Sequence, residues 1–247
     1  MIKKPLITII TVVYNGVQNL EETILSVINQ TYDNIEFIII DGASTDGTIN
    51  IIKKYEEKIH YWISEKDTGI FDAMNKGILK SKGDYINFMN SGDFFTNIDL
   101  INDIAKILNE EEIDFLYGHQ NIADGNYSKI NIKNNIQFTY LTLCHQVIFA
   151  KKNCFENNMF DLKYRWMCDY KWLLECFLRK GVKAKYTNKE ICFVEPIPNA
   201  VTKNDRLKKL YERAAIGYQY FFGFKKILFY INQLRLVIKF KYFWKYK

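Results

Sequence analysis

Apolar residues in the first hundred positions alternate between two patterns. LITIITVV (6–13) and EFIIIDG (36–42) are near-continuous apolar runs, the form taken by strands covered on both faces. Between them Leu20, Ile24, Val27 and Ile28 recur at helical spacing, and Asn19 with Glu22 predicts a capping box at the start of that helix. The alternation continues. Thr45 is expected to cap a helix carrying Ile49 and Ile52, HYWIS (60–64) reads as a strand, and Ile70, Ala73, Met74 and Gly77 open another helix. YINFMN (85–90) is the next strand and IDLINDIAKILNE (98–110) the next helix. The expected fold class is α/β, a mostly parallel sheet flanked by helices, with ligands at the carboxyl ends of the strands.

After Asp114 the periodicity changes. DFLYGHQNIADGNYSKINIK suggests two antiparallel strands around Asp124-Gly125, QVIFA (146–150) a short strand, and DYKWLLECFLRKGVK a helix ended by Gly181.

At 247 residues, 48% hydrophobic and 16% aromatic, the chain can bury one substantial core and is not a disordered type. Its five cysteines are odd in number and form no CxxC pair, which points away from a disulfide framework or structural zinc and toward a reducing cytosol. The start, MIKKPLITIITVVYNG, has the basic dipeptide and apolar run of a signal peptide, but its Thr/Ile/Val alternation predicts a buried strand. The longest uncharged stretch, between Lys133 and Lys151, carries Asn134, Asn135, Gln137, His145 and Gln146, so no membrane span is expected there.

Charge is uneven. Residues 203–247 hold 12 Lys and Arg against Asp205 and Glu212, so the formal +6 of the chain belongs to this tail, and the preceding body is net acidic. From Tyr218 onward, read as a helix, Lys225, Asn232, Arg235 and Lys239 fall on a narrow stripe beside a wide apolar surface. Such a helix could cover the core, pair with a partner or lie in a membrane interface. Basic and aromatic residues continuing to the end favour the membrane surface. No nucleic-acid module is recognisable, and none is expected as a partner.

Three acidic residues stand where strands of the first half stop: Asp41, Asp67 and Asp93. In a doubly wound sheet those ends lie side by side, so the carboxylates would converge on one crevice and there bind a cation or the donor groups of a base and ribose. Alternatively each caps its following turn or helix. DGASTDGT has neither the spacing nor the lysine of a P-loop, and GxGxxG is absent.

TVVYNG, IIIDGASTDGT, SEKDTGIFDAMNKGI, GDYINFMNSGD and CDYKWLLECFLRKGVKAKY, in this order and at these separations, resemble family 2 glycosyltransferases of the GT-A fold, of the bacterial polysaccharide-assembly kind. The resemblance covers roughly residues 5–195. It implies that Tyr14 stacks on the nucleobase and Asp41 hydrogen-bonds it, with Thr11 and Val13 lining the base pocket. Asp67 would lie beside the nucleotide, and Gly69, Ala73 and Asn75 match the motif that shapes the donor cleft. Ser91-Gly92-Asp93 falls on the family's DxD signature, which makes Asp93 the ligand of Mn2+ or Mg2+ at the donor diphosphate. Ser91 departs from the signature's first acid and carries no charge.

On the acceptor side, Asp169 matches the catalytic aspartate of an acidic pair whose first member is replaced here by Cys168. The implied mechanism is inverting, with Asp169 deprotonating an acceptor hydroxyl. His145 and Gln146 match an HQ pair near the acceptor, and Asp161 resembles an FD motif expected to order a loop. The implied organisation is a glycosyltransferase domain over 1–200, with a nucleotide-sugar half (1–113) and an acceptor half (114–200), then a basic extension over 201–247. The expected partners are a UDP-sugar and a glycan, lipid-linked, at the cytoplasmic face of the cell membrane. Two other readings compete with it. Ser91 and Cys168 suit a non-catalytic nucleotide-sugar or glycan-binding subunit. A nucleotidyltransferase would need a glycine-rich basic loop that YNGVQNLEET does not supply.

Overall fold

The computed structural model describes residues 4–122, 127–128, 143–179, 181–194 and 203–221. The first half follows the alternation: β1 (Ile7–Val13), α1 (Leu20–Ile28), β2 (Ile35–Asp41), α2 (Thr48–Lys54), β3 (Tyr61–Ser64), α3 (Ile70–Lys80) and β4 (Tyr85–Phe88). There follow β5 (Asp93–Phe95), α4 (Leu100–Glu110), β6 (Phe115–Ile122), β7 (Tyr127–Ser128), β8 (Ile148–Lys151), α5 (Cys168–Leu174), β9 (Ala184–Val194) and α6 (Lys203–Tyr220). Every residue of β1 is buried, Thr8 and Thr11 included, as its near-continuous apolar run and its place between β2 and β4 lead one to expect. Each buried isoleucine there stabilises the fold by about 2 kcal/mol.

The strands form one mixed sheet in the order β3-β2-β1-β4-β8-β6-β9-β5, with β7 pairing β6. Only the β3-β2-β1-β4 half is uniformly parallel. β8 runs antiparallel to both β4 and β6, and β5 antiparallel to β9. The sequence reading missed β5 and β9. β5 has three residues, too few for a period, and β9 carries TNKE at its centre. The β6–β7 pair is antiparallel as expected. Asp124-Gly125 lies outside the described residues.

Helix starts differ from the expected caps. Asn19 is the N-cap of α1 but makes no side-chain cap bond, so the capping box does not form. α2 begins at Thr48, not after Thr45, because Gly47 turns the chain with φ of 104° and Asp46 accepts the Thr48 amide at 3.0 Å. Thr45 is occupied elsewhere, its amide donating to Asn15 Oδ1 at 2.9 Å. α5 passes into a wider π turn over Glu175–Arg179. Gly181, at φ of 62°, lies just beyond.

Candidate active site

The carboxyl ends of β1, β2 and β3 share one edge, with Val13, Asp41 and Ser64 in register. The loops leaving β1 and β2 are laced together: Asn15 N donates to Ser44 Oγ at 2.7 Å, Gly16 N to Thr48 Oγ1 at 2.9 Å and Val17 N to Asp46 Oδ2 at 3.0 Å. The Thr48 hydroxyl in turn holds Asp46 below the usual carboxylate range. Asn15 and Ala43 sit in the left-handed region, at φ of 50° and 64°, a local strain on the order of 1 kcal/mol each that these cross-bonds sustain. The small residues of DGASTDGT therefore serve the loop's own bracing.

The three strand-end carboxylates separate into different roles. Asp41 is fully buried and accepts bonds from Ser44 N at 2.9 Å, the Ser44 hydroxyl and Ser64 Oγ at 2.6 Å, so it ties its own turn to the end of β3. Asp67 accepts the Gly69 amide at 2.9 Å, and its other oxygen lies against Gly42, where a Cβ would come within 2.6 Å of it. The Tyr14 ring borders the same glycine and is 67% exposed, free to carry a flat ligand on its face. For Asp41 and Asp67 the turn-capping alternative describes the contacts seen. Asp93 is different: it is 7% exposed, opens β5, and accepts a bond from Gln146 Nε2 at 2.8 Å.

Thr11 is buried and donates to Met89 O at 2.7 Å, tying β1 to the chain that leads to Asp93. Val13 and Ala73 are buried in the core. Ser91 packs on the backbone of Gly16, where any Cβ would come within 2.6 Å of Ser91 Oγ, and Gly92 N donates to Thr23 Oγ1 at 3.0 Å. Gly69 precedes α3 with φ of 135°. Asn75 braces the chain on the far side of α3's first turns from Gly69. Its side chain exchanges bonds of 2.9 and 3.0 Å with the carbonyl and amide of Phe160, strapping α3 to the segment that holds Asp161. Asp161 orders that loop, accepting Lys163 N at 3.1 Å and lying 3.4 Å from Lys171 Nζ.

The HQ pair forms a 3-10 turn over His145–Val147, held from beneath by Asn87, whose amide donates to Gln146 O at 2.9 Å and Ile148 O at 2.8 Å. Gln146 reaches Asp93. His145 lies between the halves, its Nε2 2.7 Å from Asn90 Nδ2 and its Nδ1 4.0 Å from Asp169 Oδ2. With the Asn90 amide donating, the ring proton sits on Nδ1, toward Asp169. Asp169 lies in the first turn of α5 and accepts the Tyr170 amide at 2.7 Å. Cys168, beside it, points into the core. Burial first, then the nearby carboxylates of Asp169, Glu212 and Asp161, push its thiol up to about 12.

Buried polar atoms left without a hydrogen-bond partner gather here: Asn90 Oδ1, Ser91 Oγ, His145 Nδ1 and Gln146 Oε1. Buried groups of this kind are normally paired, so their concentration points to a ligand. Among the described residues no group of three His, Cys, Asp or Glu could hold a metal alone. One buried carboxylate with neutral oxygens around it nevertheless fits Mg2+ or Mn2+, hard cations that complete their shell with water and substrate phosphates. Sequence reasoning missed Gly16, Asn87 and Asn90 as site-builders, although Asn87 and Asn90 stand out as polar residues in and after an apolar strand.

Residues 8–159 match the profile of Glycosyl transferase family 2. The chain is 30% identical over 219 residues to an uncharacterized glycosyltransferase of Haemophilus influenzae, covering 81% of this chain and 83% of that one. Among solved structures it resembles S. aureus TarS 1-349 in complex with UDP, with a TM-score of 0.67, 16% identity, and coverage of 88% and 67% of the two chains. The mannosyltransferase PcManGT of Pyrobaculum calidifontis, solved with GDP-Man and Mn2+, gives the same score and identity over 88% and 64%. Likeness at such identity is one of fold, here the GT-A fold.

Proposed function

Because the chain belongs to glycosyl transferase family 2, whose members transfer sugars, we propose that it moves one sugar from a UDP-sugar to a lipid-linked glycan in surface polysaccharide assembly. The transfer inverts the anomeric carbon and uses Mn2+ or Mg2+. The observation that carries this reading is the line of groups from Asp93 through Gln146 to His145, whose ring meets Asn90 on one side and lies 4.0 Å from Asp169 on the other, which sets a buried carboxylate and a solvent-reached one on either side of a cluster of unpaired polar atoms. Complexes of fold relatives with UDP, UDP-GlcNAc, and GDP-Man with Mn2+ support a nucleotide-sugar donor.

In this reading Tyr14 stacks on the base, Asp67 lies beside the nucleotide, and Asp41 keeps the base-side loop in shape. Asp93, with Ser91 near it, would hold the cation, which supplies charge stabilisation to the departing diphosphate. Asp169 takes the proton of the acceptor hydroxyl, and His145 faces Asp169 to keep its carboxylate oriented. General-base help of this kind is worth about 10²- to 10⁴-fold. Retention of Asp93 and Asp169 favours turnover over a purely binding role. Residues 1–200 hold the donor-side and acceptor-side residues named here, and the basic segment after Phe221 rests on the inner face of the membrane. Among the described residues no helix is long and apolar enough to cross it.

Calorimetric titration of UDP with and without Mn2+, into wild type, Asp93→Asn and Asp169→Asn, tests the assignment. UDP binding should need the metal and collapse in Asp93→Asn. Asp169→Asn should bind UDP normally while losing sugar transfer by about 10²-fold or more in a screen of UDP-sugars. Binding indifferent to both metal and Asp93 would remove Asp93 as the cation's ligand.

A further inference from the structure

Glu212 is one of two acidic residues in the basic segment 203–247, and its environment explains the exception. α6 carries it against the loop before α5, where three consecutive backbone amides converge on its carboxylate: Arg165 N at 2.9 Å, Trp166 N at 2.8 Å and Met167 N at 3.0 Å. Successive N–H groups aimed at one point form a nest for an anion, and here the chain supplies its own. Met167 is the residue that opens α5, its carbonyl accepting Lys171 N at 3.0 Å, and Asp169 follows two residues on. α6 is further fixed by Ile216 and Phe221, which pack with Met167, Tyr170 and Leu174, and by the Arg213 guanidinium 4.7 Å from the Tyr170 ring centre. The element that leads into the basic tail thus grips the loop that delivers the candidate base.

We propose that Glu212 is a positioning residue for sugar transfer, holding residues 165–167 so that the Asp169 carboxylate is presented at a fixed place. This rests on the reading of Asp169 as the base. It also makes α6 a working part of the catalytic unit, beyond the segment matched by the family profile. A carboxylate serves three donors where an amide serves fewer, so the geometry is specific to the acid.

The test uses the full chain with Glu212→Ala and the isosteric Glu212→Gln. Backbone hydrogen exchange at 165–167 should accelerate by at least about tenfold while exchange in β1 and β2 stays unchanged. Turnover of the UDP-sugar accepted by wild type should fall about tenfold or more with UDP affinity kept, and Glu212→Gln should lie between Ala and wild type. Exchange as slow as wild type, or fast exchange with full turnover, overturns the proposal. If both variants failed to fold, Glu212 would be a stability residue instead and the proposal would fall. An active Asp169→Asn would remove the base assignment separately, while the exchange data still judged the loop.

Discussion

Cys168 occupies the place where the resemblance expects an acid, yet its surroundings exclude one. Its side chain is fully buried and its thiol donates to the carbonyls of Asp161 and Tyr164. An aspartate there would set a buried anion against two carbonyl oxygens and three neighbouring carboxylates. Cys168→Asp is expected to destabilise the protein by about 3 kcal/mol or more without raising turnover, read as a lowered denaturant midpoint. Single residues were legible in the sequence when a motif or strand end singled them out, as with Asp93, Asp169, His145 and Gln146. Their partners were not. Gln146 lies 53 positions from Asp93, and His145 55 from Asn90, so only the closed sheet brings them together. Asp41 and Asp67 share Asp93's sequence context, and the backbone amides that occupy them become visible only with the turns built.

At the scale of elements, the parallel half of the sheet could be read from the chain because buried strands leave continuous apolar runs. The antiparallel half could not, since β9 has polar residues at its centre and β5 is too brief. The strap between α3 and the Phe160 segment is a joint of this second kind, unpredictable from either sequence alone. Asn75→Ala removes both of its bonds and leaves the amide and carbonyl of a buried residue unmet. A loss of about 2 kcal/mol is expected, measured by denaturant unfolding, with Asn75→Asp recovering at most the bond that its oxygen accepts.

For the whole molecule, two buried tyrosines and a buried cysteine tie stability to alkaline pH. Burial first raises Tyr32 and Tyr85 from 10.0 to about 12, and Cys168 from 9.0 to about 12. The unfolded chain releases these protons at lower pH than the folded one, so their contribution is whole below pH 9 and is lost as pH climbs toward 12. Denaturant titrations should show stability falling by about 2 kcal/mol or more between pH 9 and 11, and a flat profile would refute the burial of these groups. The docking of α6 also has a mechanical consequence. Phe221 is buried against α5, and the next residue already belongs to a segment with seven Lys and Arg and no acid. Whatever engages that segment therefore pulls on a helix whose Glu212 also holds residues 165–167, so an event at the tail is felt two residues from Asp169.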